Sequence, residues 1–193
     1  EHSIAGFEFL FGIPGSIGGA VITNAGCFKQ EIKDILVEIE VVNKLTGKVK
    51  TIPASDCGLV YRDSSIKPKY IITSVVLKGK KGDSKKIQET MDNILKEKDS
   101  VQPTYTKTAG STFKNPVGHS AWKLIKDAGC QGMKYGDAIV SPMHANFIIN
   151  EGNATSADIE ELAEQVRYKV YEKFGIMLEY EIKIIGSRKV ETP

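Results

Sequence analysis

A few short segments hold the residues whose types and spacing suit them to chemistry. The first, Gly12-Ile-Pro-Gly-Ser-Ile-Gly-Gly-Ala-Val-Ile-Thr-Asn-Ala-Gly26, gathers Gly12, Gly15, Gly18, Gly19 and Gly26 around one proline. Such a chain turns with positive φ and brings bare backbone N–H groups against an anion, commonly a pyrophosphate. Its spacing is neither that of a Walker loop nor that of the dinucleotide fingerprint. The residues alone therefore leave a phosphate-binding loop and a tight structural turn equally open. The second segment, Tyr61-Arg-Asp-Ser64, offers in Arg62 a guanidinium that is always charged and can stabilise an enolate or carboxylate oxygen. Its plain alternative is a surface turn with an Arg–Asp pair.

The third segment is Ala109-Gly-Ser-Thr-Phe-Lys-Asn-Pro116. Ser111 follows a glycine and is conformationally adaptable, but no His–Asp pattern marks it as a hydrolase nucleophile, and taken alone it reads as a loop serine. In the fourth, Leu178-Glu-Tyr-Glu-Ile-Lys-Ile-Ile-Gly186, strand alternation sets Glu179 and Glu181 on one face with Tyr180 and Ile182 on the other. Solvated carboxylates are the default there. His144 in Ser141-Pro-Met-His-Ala-Asn146 is a lone histidine, more often structural than functional, and neither His2 nor His119 has the company of metal ligands.

These segments need elements to position them. Ile35 to Asn43 is rich in β-branched residues, Lys44 to Lys48 supplies a turn, and Val49 to Ile52 completes a hairpin. Pro53 and Ser55 suggest a helical turn around Ala54 to Cys57. Tyr70 to Leu77 reads as a strand closed by a basic turn from Gly79 to Gly82. Asp83 or Ser84 caps a helix through about Glu97, with Ile87, Met91, Ile94 and Leu95 at core spacing. The polar stretch from Lys98 to Thr108 places the main boundary near residue 102, giving units 1–102 and 103–193.

Beyond it, Ser120 caps a short helix carrying Trp122, Leu124, Ile125 and Ala128, which Gly129 ends. Asn146 to Asn150 is a short strand. Thr155 and Asp158 form a capping box opening the longest helix, with Ile159, Leu162, Val166, Val170 and Phe174 on its apolar face and Gly175 at its end. Met177 to Ile185 is expected as a last strand. The order is α+β in two units.

Totals narrow the function. The chain has 193 residues and a formal charge of +2, so no broad nucleic-acid or membrane footprint is indicated and the partner is expected to be small. Cys27, Cys57 and Cys130 are widely spaced and odd in number, which fits reduced structural thiols. No run approaches the roughly 20 apolar residues of a membrane helix, and the amino terminus lacks a signal pattern, so the chain reads as cytoplasmic. Glu1 is not a methionine, and Phe7 to Phe11 runs straight into the glycine-rich motif; this reads as an entry into the middle of a fold, with an amino-terminal part upstream.

Taken in order from about Phe7 to Gly186, the four motifs resemble the UDP-N-acetylenolpyruvoylglucosamine reductases of bacteria, flavoenzymes that hold FAD between two subdomains and act on UDP-N-acetylglucosamine enolpyruvate with NADPH. The resemblance implies an α+β chain comprising a second FAD-binding subdomain over 1–102 and a substrate-binding domain over 103–193. It implies FAD contacts at Gly12, Ile13, Pro14, Gly15, Ser16, Gly18, Gly19, Ala20, Asn24, Gly26 and Ile72. Arg62, Ser111 and Glu181 become the catalytic residues, with Ser111 as proton donor, and Tyr61, Lys114, Asn115 and His144 become substrate contacts. A serine hydroxyl is a weak acid, so its role calls for a cation such as Lys114 to stabilise the alkoxide.

The pattern departs from the family at Gln131, where a lysine is frequent, with Lys134 standing beyond Gly132. No tyrosine-bearing insertion precedes Ser111, as in the family's shorter form. The rival expectation is a non-catalytic UDP-sugar-binding fragment or remnant unable to hold FAD. The sequence specifies no oligomeric state.

Overall fold

The computed structural model describes residues 2–66 and 68–186. Its contacts divide the chain into two compact units, residues 1–97 and 98–193. Both are α+β. In the first unit the elements run β1 (Ile4–Ala5), α1 (Ile17–Ile22), β2 (Gly26–Cys27), β3 (Gln30–Glu31), β4 (Leu36–Asn43), β5 (Val49–Pro53), β6 (Tyr70–Leu77), β7 (Lys80–Lys81) and α2 (Ser84–Val101), which crosses into the second. There follow β8 (Thr108–Ser111), α3 (Ala121–Asp127), β9 (Lys134–Tyr135), β10 (Ala138–Val140), β11 (Phe147–Asn150) and α4 (Ser156–Phe174).

The first unit is built on a three-stranded antiparallel sheet in the order β5-β4-β6. The hairpin forms where the β-branched run and the turn residues require it. Asn43 Oδ1 accepts from the N–H groups of Leu45 and Thr46, and Gly47 supplies the left-handed residue (φ 66°) before β5. Strict alternation fails in β4, where Leu36, Ile39 and Val41 are the buried positions. The register shift between Leu36 and Glu38 leaves Val37 as an extra residue on β4 and changes its phase, so that Leu36 reaches the same core as Ile39 and Val41, formed with Phe9, Val21, Ile32 and Cys57. The second shift, between Glu40 and Val41, leaves the extra residue Thr73 on β6.

Two expectations for this unit are corrected. The stretch from Gly79 to Gly82 is not only a turn, since Lys80 and Lys81 form β7 and pair with Ala5 and Ile4 of β1. A two-residue strand between glycines carries no pattern to read, and Gly79 is needed because a Cβ there would overlap Ile4 and the Phe7 ring. The helix expected to end near Glu97 continues to Val101, with Ile94 and Lys98 buried along it. Asp83 is its cap, accepting from the N–H groups of Lys85 and Lys86.

The second unit is a four-stranded antiparallel sheet in the order β8-β11-β10-β9. Its core joins Phe113, Leu124, Ile125, Val140, Ile148 and Leu178 to the buried face of α4, which is Leu162, Ala163, Val166 and Val170. The capping box forms as expected: Thr155 Oγ1 accepts from Asp158 N–H, and Asp158 accepts from Thr155 N–H. Gly175 closes α4 in the left-handed conformation (φ 68°). Strands β8 and β10 have no sequence signature, because Thr-Ala-Gly-Ser is a poor strand former and Ala-Ile-Val is short and buried throughout.

Two further corrections fall here. Ser120 stands at the cap position of α3 but its side chain makes no capping bond; Asn115 Oδ1 accepts from Ala121 N–H instead. Residues 177–185 do not form a regular strand. They follow Thr112 to Lys114 through a single bridge, Phe113 to Tyr180, and this contact is too short to propagate a ladder. Among the described residues no helix is long and apolar enough to cross a membrane, and no group of His, Cys, Asp and Glu is placed to hold a metal ion.

Leu162 is fully buried between sheet and helix. Leu162→Ala is expected to lower stability by about 2–5 kcal/mol through lost burial and the cavity left behind. The check is the urea midpoint at unchanged slope; a loss below about 1 kcal/mol would mean that α4 is not the packing partner described.

Candidate functional site

In the first unit the glycine-rich segment is an exposed loop running into α1. Gly12 (φ 71°) and Gly15 (φ 126°) take conformations that side chains disfavour. Gly12, Pro14, Gly15, Ser16 and Gly19 are exposed, and Ile13, Gly18 and Ala20 are partly covered. Ser16 caps α1 by accepting from Gly19 N–H at 3.2 Å, while the other N–H groups of the first turn have no partner within the helix. Gly18 lies against Ile72 of β6, 3.5 Å from where its Cβ would stand. Loop and Ile72 are thus adjacent.

Asn24 and Gly26 sit deeper. Asn24 is fully buried, and its amide is spent inside the protein: Nδ2 donates to Glu31 Oε2 (3.1 Å) and to the Val60 carbonyl (3.0 Å), and Oδ1 accepts from Lys33 N–H (3.0 Å). Gly26 pairs with Glu31 across the β2–β3 hairpin, where any Cβ would collide with the Gln30 carbonyl. The Gly26 carbonyl accepts from Arg62 Nη2 at 2.7 Å. Arg62 Nη1 stands 4.0 Å from Glu31 Oε1, and its guanidinium lies 5.1 Å from the Tyr61 ring centre.

Tyr61 and Arg62 are the central residues of a tight turn closed by mutual backbone bonds between Val60 and Asp63. Arg62 has φ 55°, at the turn position where glycine is usual. A non-glycine residue held there stores strain on the order of 1–3 kcal/mol, which persists only where its surroundings fix it. Ser64, the last residue of the motif, is buried, and its hydroxyl has no hydrogen-bond partner among the described residues.

In the second unit Ser111 ends β8, opposite Phe147 and just after Gly110 (φ 87°). The next residues are fixed on both sides. Thr112 N–H donates to the Asn146 carbonyl (2.8 Å), while the Thr112 carbonyl accepts from Glu181 N–H (2.9 Å). Lys114 N–H donates to the Glu179 carbonyl (2.8 Å). Ser111, Lys114 and Glu181 therefore lie on adjoining stretches of backbone. The Lys114 ammonium is directed to Glu179, 3.6 Å away, rather than reserved for the Ser111 hydroxyl.

Asn146 holds this arrangement together and was not singled out from sequence. Its side chain accepts from Phe113 N–H (3.0 Å) and donates to the Phe113 carbonyl (2.8 Å), replacing a missing strand partner. An asparagine preceding a strand is the only sequence signal, and it is weak. On the far side, Tyr180 stacks on Phe113 at 5.2 Å and donates to Glu164 at 2.9 Å, while Arg167 binds Glu164 and the Leu178 carbonyl. Burial first, then the Glu164 carboxylate, raises the Tyr180 phenol well above its usual range, so it stays protonated.

Of the remaining candidates, Asn115 is exposed and caps α3. His144 lies edge-on to Phe147 (4.9 Å) and tilted against Trp122 (6.2 Å), and its Nδ1 accepts from Asn146 N–H at 3.3 Å. Gln131 donates to the Pro142 carbonyl, and Lys134 is paired with Glu151 at 2.6 Å.

The sequence profile described as the C-terminal domain of UDP-N-acetylenolpyruvoylglucosamine reductase matches residues 102–185. The chain is 47% identical over 187 residues to the UDP-N-acetylenolpyruvoylglucosamine reductase of Sphingopyxis alaskensis, covering 97% of this chain and 62% of that protein. It is 46% identical over 186 residues to the protein of the same name from Novosphingobium aromaticivorans, covering 96% and 62%. The crystal structure of the Thermus caldophilus UDP-N-acetylenolpyruvylglucosamine reductase superposes with a TM-score of 0.83 at 37% identity, covering 94% of this chain and 64% of that one. The chain thus spans about three fifths of the length of these relatives.

Burial lowers the pKa of His144 from the ordinary 6.5. Its neutral form is favoured in the folded state, so stability from this site is full above about pH 6.5 and falls as the unfolded chain takes up its proton. The Tm advantage of the wild type over His144→Phe is expected to shrink between pH 7.5 and pH 5.5, by thermal unfolding; a constant difference would contradict it.

Proposed function

Because the chain belongs to the UDP-N-acetylenolpyruvoylglucosamine reductase family, we propose that it forms part of a bacterial cytoplasmic flavoenzyme. In this reading the whole protein reduces UDP-N-acetylglucosamine enolpyruvate to UDP-N-acetylmuramate with NADPH, a step in making peptidoglycan precursors. One observation carries the reading for this chain. Ser111 and Glu181, far apart in sequence, are brought onto adjoining backbone through the Thr112 carbonyl.

The residues present suit FAD. In the exposed loop that holds Gly12, Ile13, Pro14, Gly15, Ser16, Gly18, Gly19 and Ala20, the glycines let an anion approach the backbone N–H groups of Gly15, Ser16 and Gly18, those of Ile13, Gly19 and Ala20 being bonded internally, and Ile72 supplies an apolar floor beneath Gly18. When bound, FAD supplies the hydride, taken from NADPH, that adds to the enolpyruvyl β-carbon.

The chain's own residues then manage charge and protons. Addition at the β-carbon leaves negative charge on the enolate and carboxylate oxygens, which a guanidinium held as rigidly as that of Arg62 stabilises without reorganisation. Ser111, at the end of β8, delivers a proton to the α-carbon. Glu181 helps to balance charge beside it. Substrate contacts are assigned to Tyr61 in the first unit and to Lys114, Asn115 and His144 in the second; neutral His144, whose Nδ1 accepts from Asn146 N–H, can donate from Nε2 without adding charge.

The test uses the full-length gene product loaded with FAD. NADPH is expected to bleach the flavin and the enolpyruvyl substrate to restore its colour. Ser111→Ala is expected to leave bleaching unchanged and to slow recolouring by about 10²- to 10⁴-fold. A protein that never retains flavin would replace the enzyme by a UDP-sugar-binding module, and Ser111→Ala recolouring at the wild-type rate would remove Ser111 from the mechanism.

A further inference from the structure

We propose that Glu31 is the positioning residue for Arg62, and that Asn24 and Gly26 serve the same arginine by locking Glu31 in place. The inference rests on the reading of Arg62 as the group that meets negative charge developing on the substrate. The β2–β3 hairpin presents two acceptors from one pair of facing residues, the Gly26 carbonyl and the Glu31 carboxylate. Arg62 engages both, Nη2 at 2.7 Å and Nη1 at 4.0 Å. The hydrogen bond to Gly26 fixes one nitrogen, and the Glu31 carboxylate at ion-pair distance draws the other side of the guanidinium toward it. Glu31 is largely buried, its side chain 16% exposed, so its charge is screened less than that of a surface carboxylate.

Each oxygen of Glu31 is assigned. Oε1 faces Arg62, Oε2 takes Asn24 Nδ2 at 3.1 Å and Lys33 Nζ at 2.7 Å, and the carboxylate also accepts from Asp34 N–H in a capping box that holds it in place. Asn24 also holds the Val60 carbonyl, one residue before the turn that carries Tyr61 and Arg62. A single buried amide thus ties the carboxylate that aims the arginine to the base of the turn that presents it. This accounts for the left-handed Arg62, which nothing in its own sequence favours. It also explains a fully buried asparagine whose own φ is 42° and a glycine at 26 that tolerates no Cβ.

The full-length FAD-loaded gene product distinguishes positioning from mere support of the fold. Rates of flavin reduction by NADPH and of reoxidation by UDP-N-acetylglucosamine enolpyruvate are measured separately in Glu31→Gln, Glu31→Asp, Arg62→Lys and the Glu31→Gln/Arg62→Lys double variant. Glu31→Gln is expected to reduce normally and to reoxidise about 10- to 100-fold more slowly at saturating substrate. Glu31→Asp is expected to fall between it and the wild type, and the double variant to be no slower than Arg62→Lys alone, within about twofold.

Wild-type reoxidation in Glu31→Gln, or losses that multiply in the double variant, would overturn the proposal. Should Glu31→Gln not retain flavin, Glu31→Asp carries the decision: slowed reoxidation alone supports positioning, and a wild-type rate overturns it. If Arg62→Lys reoxidises like the wild type, the reading of Arg62 fails first, and the pairing proposed here falls with it.

Discussion

The second unit depends on how one buried stretch of backbone satisfies its hydrogen bonds. Phe113 is almost wholly buried, yet strand β8 ends before it at Ser111. A buried N–H or C=O without a partner costs about 1–3 kcal/mol, so the fold must provide one for each. Asn146 provides both with a single amide, and its own carbonyl takes the neighbouring Thr112 N–H. With one side of Thr112 to Lys114 fixed in this way, the other side is free to bind the backbone of Glu179 and Glu181. The packing of Tyr180 on Phe113, and of Arg167 and Glu164 around Tyr180, secures that second edge.

The first unit solves a similar problem with a similar residue. Asn24 is buried completely and bonds to three separate segments: the hairpin residue Glu31, the backbone of Lys33, and the Val60 carbonyl. In both units a short polar side chain does what a longer strand would otherwise do, leaving the candidate site residue beside it at the end of regular structure. Arg62 at a turn tip and Ser111 at a strand end are both exposed enough to meet a small molecule. Both are held by neighbours that are not.

Much of the scaffold is legible in the sequence because its signals are local. The β4–β5 hairpin follows from β-branched runs around Asn43 and Gly47, β6 from Tyr70 to Leu77, and α4 from Thr155, Asp158 and Gly175. The missed elements are those whose cause is not local. Strands β8 and β10 exist because neighbours pair with them, β7 because Ile4 and Ala5 lie alongside, and residues 177–185 lack a ladder because only one bridge reaches them. Site residues followed the same division. Arg62, Ser111 and Glu181 stand in motifs that resemblance makes visible, whereas Glu31 and Asn146 act through bonds to residues distant in sequence. Asn24 lay in view within the glycine-rich motif, but its inward role emerges only from its three partners.

The most direct test of this account is amide hydrogen exchange, followed residue by residue, in Asn146→Ala. If Asn146 sets the second unit's site, removing its amide should speed exchange at Phe113 and, across the shared backbone, at Lys114 and Glu181, while Leu162 and Val166 in the core of α4 keep their protection. If Lys114 and Glu181 exchange as slowly as in the wild type, the placement of Glu181 on backbone adjoining Ser111 does not depend on Asn146 and the central claim fails.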